Sequence, residues 1–413
     1  MQQSHFDILI IGGGQAGRRA AEGAREASPS ATIAILGEEI HLPYDRPSLS
    51  KERLLDPDDD RCFVRQRMDF DEKRIELFPG QCAVSIDRQA HLVRTEEGRE
   101  YGYGRLILAT GSRVRWLPSF GVPGERVMAL RTLEDCANLS GRIRQGARIV
   151  VIGAGFIGLE VAAAARQQGA SVKVIEAGSS VLGRVFPPAA ADHVARLQQE
   201  MGVEILLDTS VRQVTEGPDG VAVEIGVETL RADIAVVGIG VIPNLELAIK
   251  AGLDVVDGIM VDKEGRSSDP DIYAAGEVTA HPVLGCDRSR RLESWQVAEE
   301  QAYAAGRSAA GSPTAYAAWP WFWSDQGRHN IQMLGLADSC ANWIAREYDH
   351  DRCSFVALDD AHTVTGMITI NAGGDIGAGR RLLGTTQDPA QLRDPEASLR
   401  SLIPRRAAAQ GSA

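Results

Sequence analysis

A strand, a glycine turn, a helix, a second strand and an acid follow one another twice in this chain, about 140 residues apart. The first unit opens with the apolar run Phe6–Ile11 and turns through Gly12-x-Gly14-x-x-Gly17. Residues 15–27 then read as a helix, Thr32–Leu36 as a strand, and Glu38 closes the unit. The second unit reads Arg148–Ile152, Gly153-x-Gly155-x-x-Gly158, a helix over Leu159–Gln168, a strand over Ser171–Ile175, and Glu176. Mostly aliphatic strands suit a parallel sheet buried on both faces. The first glycine of each motif makes a tight turn, the second lets a diphosphate approach the backbone, and the third packs helix on strand. The helix start offers unpaired N–H groups to the phosphates. One such motif is weak evidence, but each here follows a strand and opens a helix, which predicts two dinucleotide sites.

The acids add specificity. Glu38 is placed to accept from a ribose hydroxyl, and Glu176 likewise at the second site. A carboxylate there repels a 2′-phosphate, and no cation follows until Arg184, so the second site is expected to prefer NADH to NADPH. Two dinucleotide sites in one chain are most economically FAD and NADH, with hydride passing between them.

The chain's 413 residues allow two or three domains. Its formal charge of −12 argues against a general nucleic-acid binder, which needs cationic surface. Cys62, Cys82, Cys136, Cys286, Cys340 and Cys353 form no C-x-x-C pair, so neither a dithiol relay nor a zinc site is expected, and the histidines show no ligand spacing. No apolar run approaches the ~20 residues of a membrane span, and MQQSHFDILIIGGG carries no leader pattern. A reduced cytoplasmic protein, without membrane, nucleic-acid or metal partners, is expected.

Further segments point to a family. Leu106-Ile107-Leu108-Ala109-Thr110-Gly111 and Ser268-Asp269-Pro270-Asp271-Ile272-Tyr273-Ala274-Ala275-Gly276-Glu277 resemble the strand-plus-ATG and late FAD motifs of two-dinucleotide flavoproteins. With Leu42-Pro43-Tyr44-Asp45-Arg46-Pro47-Ser48-Leu49-Ser50-Lys51, Leu130–Asp135, Gly238–Asn244 and Trp321-Phe322-Trp323-Ser324-Asp325-Gln326, the chain resembles the NADH-dependent ferredoxin reductases that feed aromatic-ring dioxygenases and some haem-thiolate monooxygenases. The resemblance runs from about residue 5 to about 395. It implies an α/β fold of the glutathione-reductase class: two Rossmann-like dinucleotide-binding domains and a C-terminal α+β domain. The FAD domain is expected at 1–111 and 245–318, the NADH domain at 112–244, and an interface domain at 319–413 with a disordered tail.

The resemblance also implies roles. Gly12, Gly14, Ala16, Gly17, Glu38, Arg46, Lys51, Ala83, Ala109, Thr110, Gly111, Arg131, Glu277 and Trp295 match FAD contacts. Gly153, Gly155, Phe156, Ile157, Gly158, Glu160, Glu176, Arg184 and Gly240 are expected at NADH. Lys51 matches a lysine beside flavin N5, and Glu160 a carboxylate near the nicotinamide that can pair with it. Trp323 matches an aromatic at the flavin edge. The implied partner is a [2Fe–2S] ferredoxin, docking near Arg288, Arg290, Arg291 and Trp323, with the enzyme a monomer or homodimer. Two alternatives stay open: another acceptor (rubredoxin, a quinone-like molecule or a radical), and a redox-switched binding flavoprotein like apoptosis-inducing factor.

Three local features are open to the structure. Glu277 stands where the family usually has Asp. Arg18 and Arg19 are read as solvated helix charges, with phosphate contact as the alternative. Trp319, Trp321 and Trp323 are expected to alternate, with Trp321 opposite its neighbours.

Overall fold

The computed structural model describes residues 4–336 and 342–404. Cys340 and the expected disordered tail lie outside the described residues. The chain divides into two compact units, 1–117 with 129–142 and 239–318, and 118–128 with 143–238 and 319–413.

The first unit is built on one mixed sheet. Strand β1 (Ser4–Ile11) feeds the glycine turn and helix α1 (Gln15–Ala27), and β2 (Ile33–Gly37) returns beside β1. Strands β3 (Ile75–Pro79), β4 (Ala83–Asp87), β5 (Leu92–Thr95) and β6 (Glu100–Leu108) complete the order β3-β2-β1-β6-β5-β4. The strand Ile272–Ala274 adds to β6 in parallel. The centre is parallel and buried on both faces, as the aliphatic runs require: Leu9, Ile10, Leu106, Ile107 and Leu108 are all fully buried. Helix α1 lies against the helix Ala302–Ala309 through small residues. A Cβ on Gly23 would overlap the Tyr303 carbonyl, and one on Gly306 the Ala20 carbonyl, so this approach depends on glycine. The helix Ala302–Ala309 is preceded without a break by a π-helical turn over Val297–Gln301.

The second unit repeats the plan. Strand β7 (Arg148–Ile152), helix α2 (Phe156–Gln167) and strand β8 (Ser171–Ile175) form the βαβ core, and helix α3 (Pro188–Glu200) leads to β9 (Val203–Leu206). With β10 (Ile234–Val237), the parallel order is β9-β8-β7-β10, and Val127–Ala129 adds at the edge. An antiparallel three-stranded sheet covers Val211–Ala232. The same unit carries an antiparallel sheet of β11 (Trp321–Gln326), β12 (His329–Gly335), β13 (Asn342–Glu347), β14 (Cys353–Leu358) and β15 (Val364–Ile370), in the order β11-β12-β15-β14-β13. This is the expected α/β class with a C-terminal α+β part. Among the described residues no helix is long and apolar enough to cross a membrane.

One orientation needs correction. Trp321 and Trp323 stack with ring centroids 5.1 Å apart and planes 20° from parallel. Residues two apart on a strand leave on the same face, so Trp321 does not oppose Trp323.

Candidate active site

The two glycine turns have one geometry. Gly12 (φ +119°) and Gly153 (φ +105°) lie where side chains are strained. A Cβ on Gly17 would overlap the Gly12 carbonyl, and one on Gly158 the Gly153 carbonyl, so both third glycines are pressed onto the turn. The second glycines differ. A Cβ on Gly14 meets nothing within 4 Å, and one on Gly155 only the Gly238 carbonyl at 3.9 Å. Both cap their helices without a side-chain hydrogen bond, and neither first turn carries an acid. Open space against bare helix N–H groups suits a diphosphate at both turns.

In the first unit, several expected FAD residues form a connected set. Gly12 abuts Ala109, and a Cβ on Gly276 would come within 2.6 Å of the Ala16 methyl. Gly111 faces Glu277 and Arg131. Arg131 Nη2 pairs with Glu277 Oε1, and Arg131 Nε donates to the Ser112 carbonyl at 3.1 Å. Arg46 donates to the Arg131 carbonyl and pairs with Glu39 at 2.6 Å. Burial opposes its charge, but Tyr44, Glu39 and Glu277 together raise its pKa. Thr110 Oγ1 donates to the Asn244 carbonyl at 2.9 Å, and Lys51 Nζ to the Pro47 carbonyl at 3.1 Å. Glu38 is exposed just past β2, Ala83 begins β4, and Gly240 (φ +104°) accepts from Arg115 N at 2.9 Å.

Arg18 is not a solvated charge. It is 3% exposed, pairs with Glu22 and Glu299, and lies 3.8 Å from Asp45. Arg19 pairs with the same Glu22 and Glu299. Trp295 Nε1 donates to Asp45 Oδ2 at 3.1 Å. Burial, opposed by this bond and by Arg18, raises the Asp45 pKa. Asp45 thus connects Trp295 to the glycine helix, Glu299 is a further partner of Arg18 and Arg19, and sequence reasoning gave neither acid a role.

In the second unit, Glu176 is fixed to the glycine turn. Its Oε2 accepts from Ala154 N and its Oε1 from Gly178 N, both at 2.8 Å. A carboxylate has about four acceptor positions, so ribose hydroxyls can still be received. Ile157 is 45% exposed at the start of α2, and Arg184 is exposed. Phe156 packs on Phe322 with centroids 4.5 Å apart. Glu160, 2% exposed, accepts from Ser324 Oγ at 2.6 Å. Strand alternation sends Trp323 to the opposite face of β11 from Ser324. Ser324 lay in a quoted segment, yet only the fold aims it at Glu160.

Arg288 and Arg290 are exposed, whereas Arg291 is engaged by Glu293 at 2.8 Å and Asp257 at 3.4 Å. Among the described residues, Glu200, His350 and Asp351 are close enough to share an ion. Arg196 already lies within 2.8 Å of Glu200 and 2.7 Å of His350.

Comparisons with known proteins decide the family. The model for pyridine nucleotide-disulphide oxidoreductases matches residues 6–302, and the reductase C-terminal model matches 321–403. The chain belongs to the pyridine nucleotide-disulphide oxidoreductase family. It is 44% identical, over 96% of its length and 99% of the relative's, to the ferredoxin–NAD(+) reductase component of an anthranilate 1,2-dioxygenase system from Burkholderia cepacia. It is 38% identical to rhodocoxin reductase of Rhodococcus erythropolis, over 97% of this chain and 95% of that one. Among solved structures, it resembles the covalent putidaredoxin reductase–putidaredoxin complex with a TM-score of 0.92 and 31% identity, covering 98% of this chain and 99% of that one.

Proposed function

We propose that this oxidoreductase passes electrons from NADH, through FAD, to a [2Fe–2S] ferredoxin that supplies an oxygenase. The observation that carries this reading is the doubled cradle: two open second glycines, each against an uncapped helix start. The similarity to reductases of ferredoxin-dependent systems supports the acceptor.

The first unit is assigned to FAD and 143–238 to NADH, with 319–404 as the interface part. FAD supplies the exchange of a two-electron hydride for two single electrons. Gly12, Gly14 and Gly17 give its diphosphate room and N–H donors, and Glu38 receives its ribose. Ala16, Ala83, Ala109, Thr110, Gly111 and Trp295 line its path, with Arg46, Arg131 and Glu277 as the charged group beside it. Lys51 is assigned to flavin N5, where a cation stabilises negative charge. Gly153, Gly155 and Gly158 hold the NADH diphosphate, Glu176 its ribose, and Phe156, Ile157, Arg184 and Gly240 flank it. Glu160 orients the nicotinamide end. Arg288, Arg290 and Trp323 are assigned to ferredoxin docking, since complementary charge steers encounter.

An anaerobic titration with NADH, then NADPH, followed by addition of a [2Fe–2S] ferredoxin, tests this. Flavin bleaching by NADH at far lower concentration than NADPH, then rapid ferredoxin reduction that weakens with salt, is expected. A purified protein without flavin absorbance that binds no added FAD sinks the reading. Bleaching without transfer to any ferredoxin moves the acceptor elsewhere.

A further inference from the structure

The Gly276 peptide is held from both sides by buried side chains that no sequence motif singles out. Its N–H donates to Gln301 Oε1 at 2.8 Å, while Gln301 Nε2 donates to the Ala274 carbonyl at 3.1 Å. Its carbonyl accepts from Thr279 Oγ1 at 2.8 Å. Gln301 is 2% exposed and Thr279 fully buried. His281 Nδ1 lies 3.1 Å from the same Thr279 Oγ1. Three side chains are therefore ordered around one peptide.

That peptide is special in three ways. Gly276 has φ +80°, which other residues rarely adopt. It leans on Ala16 of the glycine helix. It immediately precedes Glu277, which pairs with Arg131 beside Gly111. Gln301 is the last residue of the π-helical turn Val297–Gln301. A π turn widens the helix by one residue and is frequently found at functional sites. Here that turn ends on the side chain that grips the Gly276 and Ala274 backbone.

We propose that Gln301 and Thr279 are positioning residues that clamp the Gly276 peptide and thereby aim Glu277 at the flavin site. The proposal rests on the reading of the first unit as an FAD site. Neither residue needs to touch FAD; both act through Gly276. An ordinary structural role for the same bonds would lower the melting temperature without changing the environment of the bound flavin.

The test uses the full-length holoprotein with Thr279→Val, Thr279→Ser and Gln301→Glu. Valine keeps the shape of threonine but removes the hydroxyl donor, leaving the Gly276 carbonyl only the Thr279 backbone N–H. Glutamate can still accept from Gly276 N–H but loses the donor to Ala274. FAD dissociation constant, visible absorption maxima and flavin midpoint potential are read beside apoprotein melting. Thr279→Val is expected to weaken FAD ~10-fold and shift the flavin bands, with Thr279→Ser restoring both. Gln301→Glu moves the same readouts, and carries the comparison if the valine variant does not fold. Wild-type affinity, bands and potential in both Thr279→Val and Gln301→Glu overturn the clamp while leaving the FAD reading intact. A change in melting alone, not rescued by serine, overturns it too. A parent protein that holds no FAD removes the functional reading and this proposal together.

Discussion

Ser324 Oγ donates to Glu160 Oε1 at 2.6 Å, so a strand of the C-terminal sheet orients a buried carboxylate on the helix that leaves the second glycine turn. Glu160 is 2% exposed, where a charged group is costly unless hydrogen-bonded. Ser324→Ala is therefore expected to destabilise the protein by ~2 kcal/mol. It should also slow flavin reduction by NADH in stopped flow more than it weakens NADH binding. Ser324→Thr, which keeps the hydroxyl, should restore the rate. An alanine variant with parental reduction kinetics would separate this bond from catalysis.

The glycine turns predict a dissociation between folding and binding. Gly17→Ala and Gly158→Ala drive a methyl into a carbonyl within the turn and should cost ~2 kcal/mol or more. Gly14→Ala and Gly155→Ala place the methyl in open space at ordinary φ values of −85° and −78°. Their melting should stay within ~1 kcal/mol of the parent, because a poorer helix cap offsets a less flexible unfolded chain. Their dinucleotides should not fit. Gly14→Ala should lower FAD content, and Gly155→Ala should raise the NADH KM with FAD content unchanged. Equal effects at both turns would contradict the assignment of one cofactor to each.

How much of this was legible depends on the distance over which each residue is determined. The doubled turn was readable because a glycine's φ and its fit against a neighbouring carbonyl are local requirements. Arg18 was misread because its partners Asp45 and Glu299 arrive from distant segments, the latter 281 residues along the chain. Helical spacing cannot show that an arginine will be buried by such partners. The stacked tryptophans were misassigned by a faulty use of strand period, not for want of signal. The π turn left no mark at all, since one extra residue in a helix changes neither composition nor capping.

Glu277 pairs with Arg131, and both side chains are about one-fifth exposed. Shortening the acid in Glu277→Asp should break this pair and leave Arg131 with its 3.1 Å bond to the Ser112 carbonyl. FAD affinity is expected to fall ~10-fold with a shifted flavin spectrum. A double-mutant cycle with Arg131→Ala should give a coupling of ~1 kcal/mol. Unchanged affinity and spectrum in Glu277→Asp would remove any reason to single out the longer acid.

His281 sets an acid limit on the first unit. It is 2% exposed, and burial pushes its pKa from the ordinary histidine value of 6.5 down to about 4. Its Nε2 is buried without a hydrogen-bond partner, so the fold accommodates the neutral ring. The folded pKa lies below the unfolded one, so the unfolded chain binds more protons between pH 6.5 and 4. The contribution is fully present above pH 6.5 and is lost as pH falls through that window, by ~2 kcal/mol at pH 5. Urea unfolding at pH 7 and pH 5 measures the loss. His281→Gln cannot titrate and should flatten the pH dependence by about that amount, whatever its stability at pH 7. A glutamine variant that loses as much stability on acidification as the parent would assign the acid limb to the carboxylates instead.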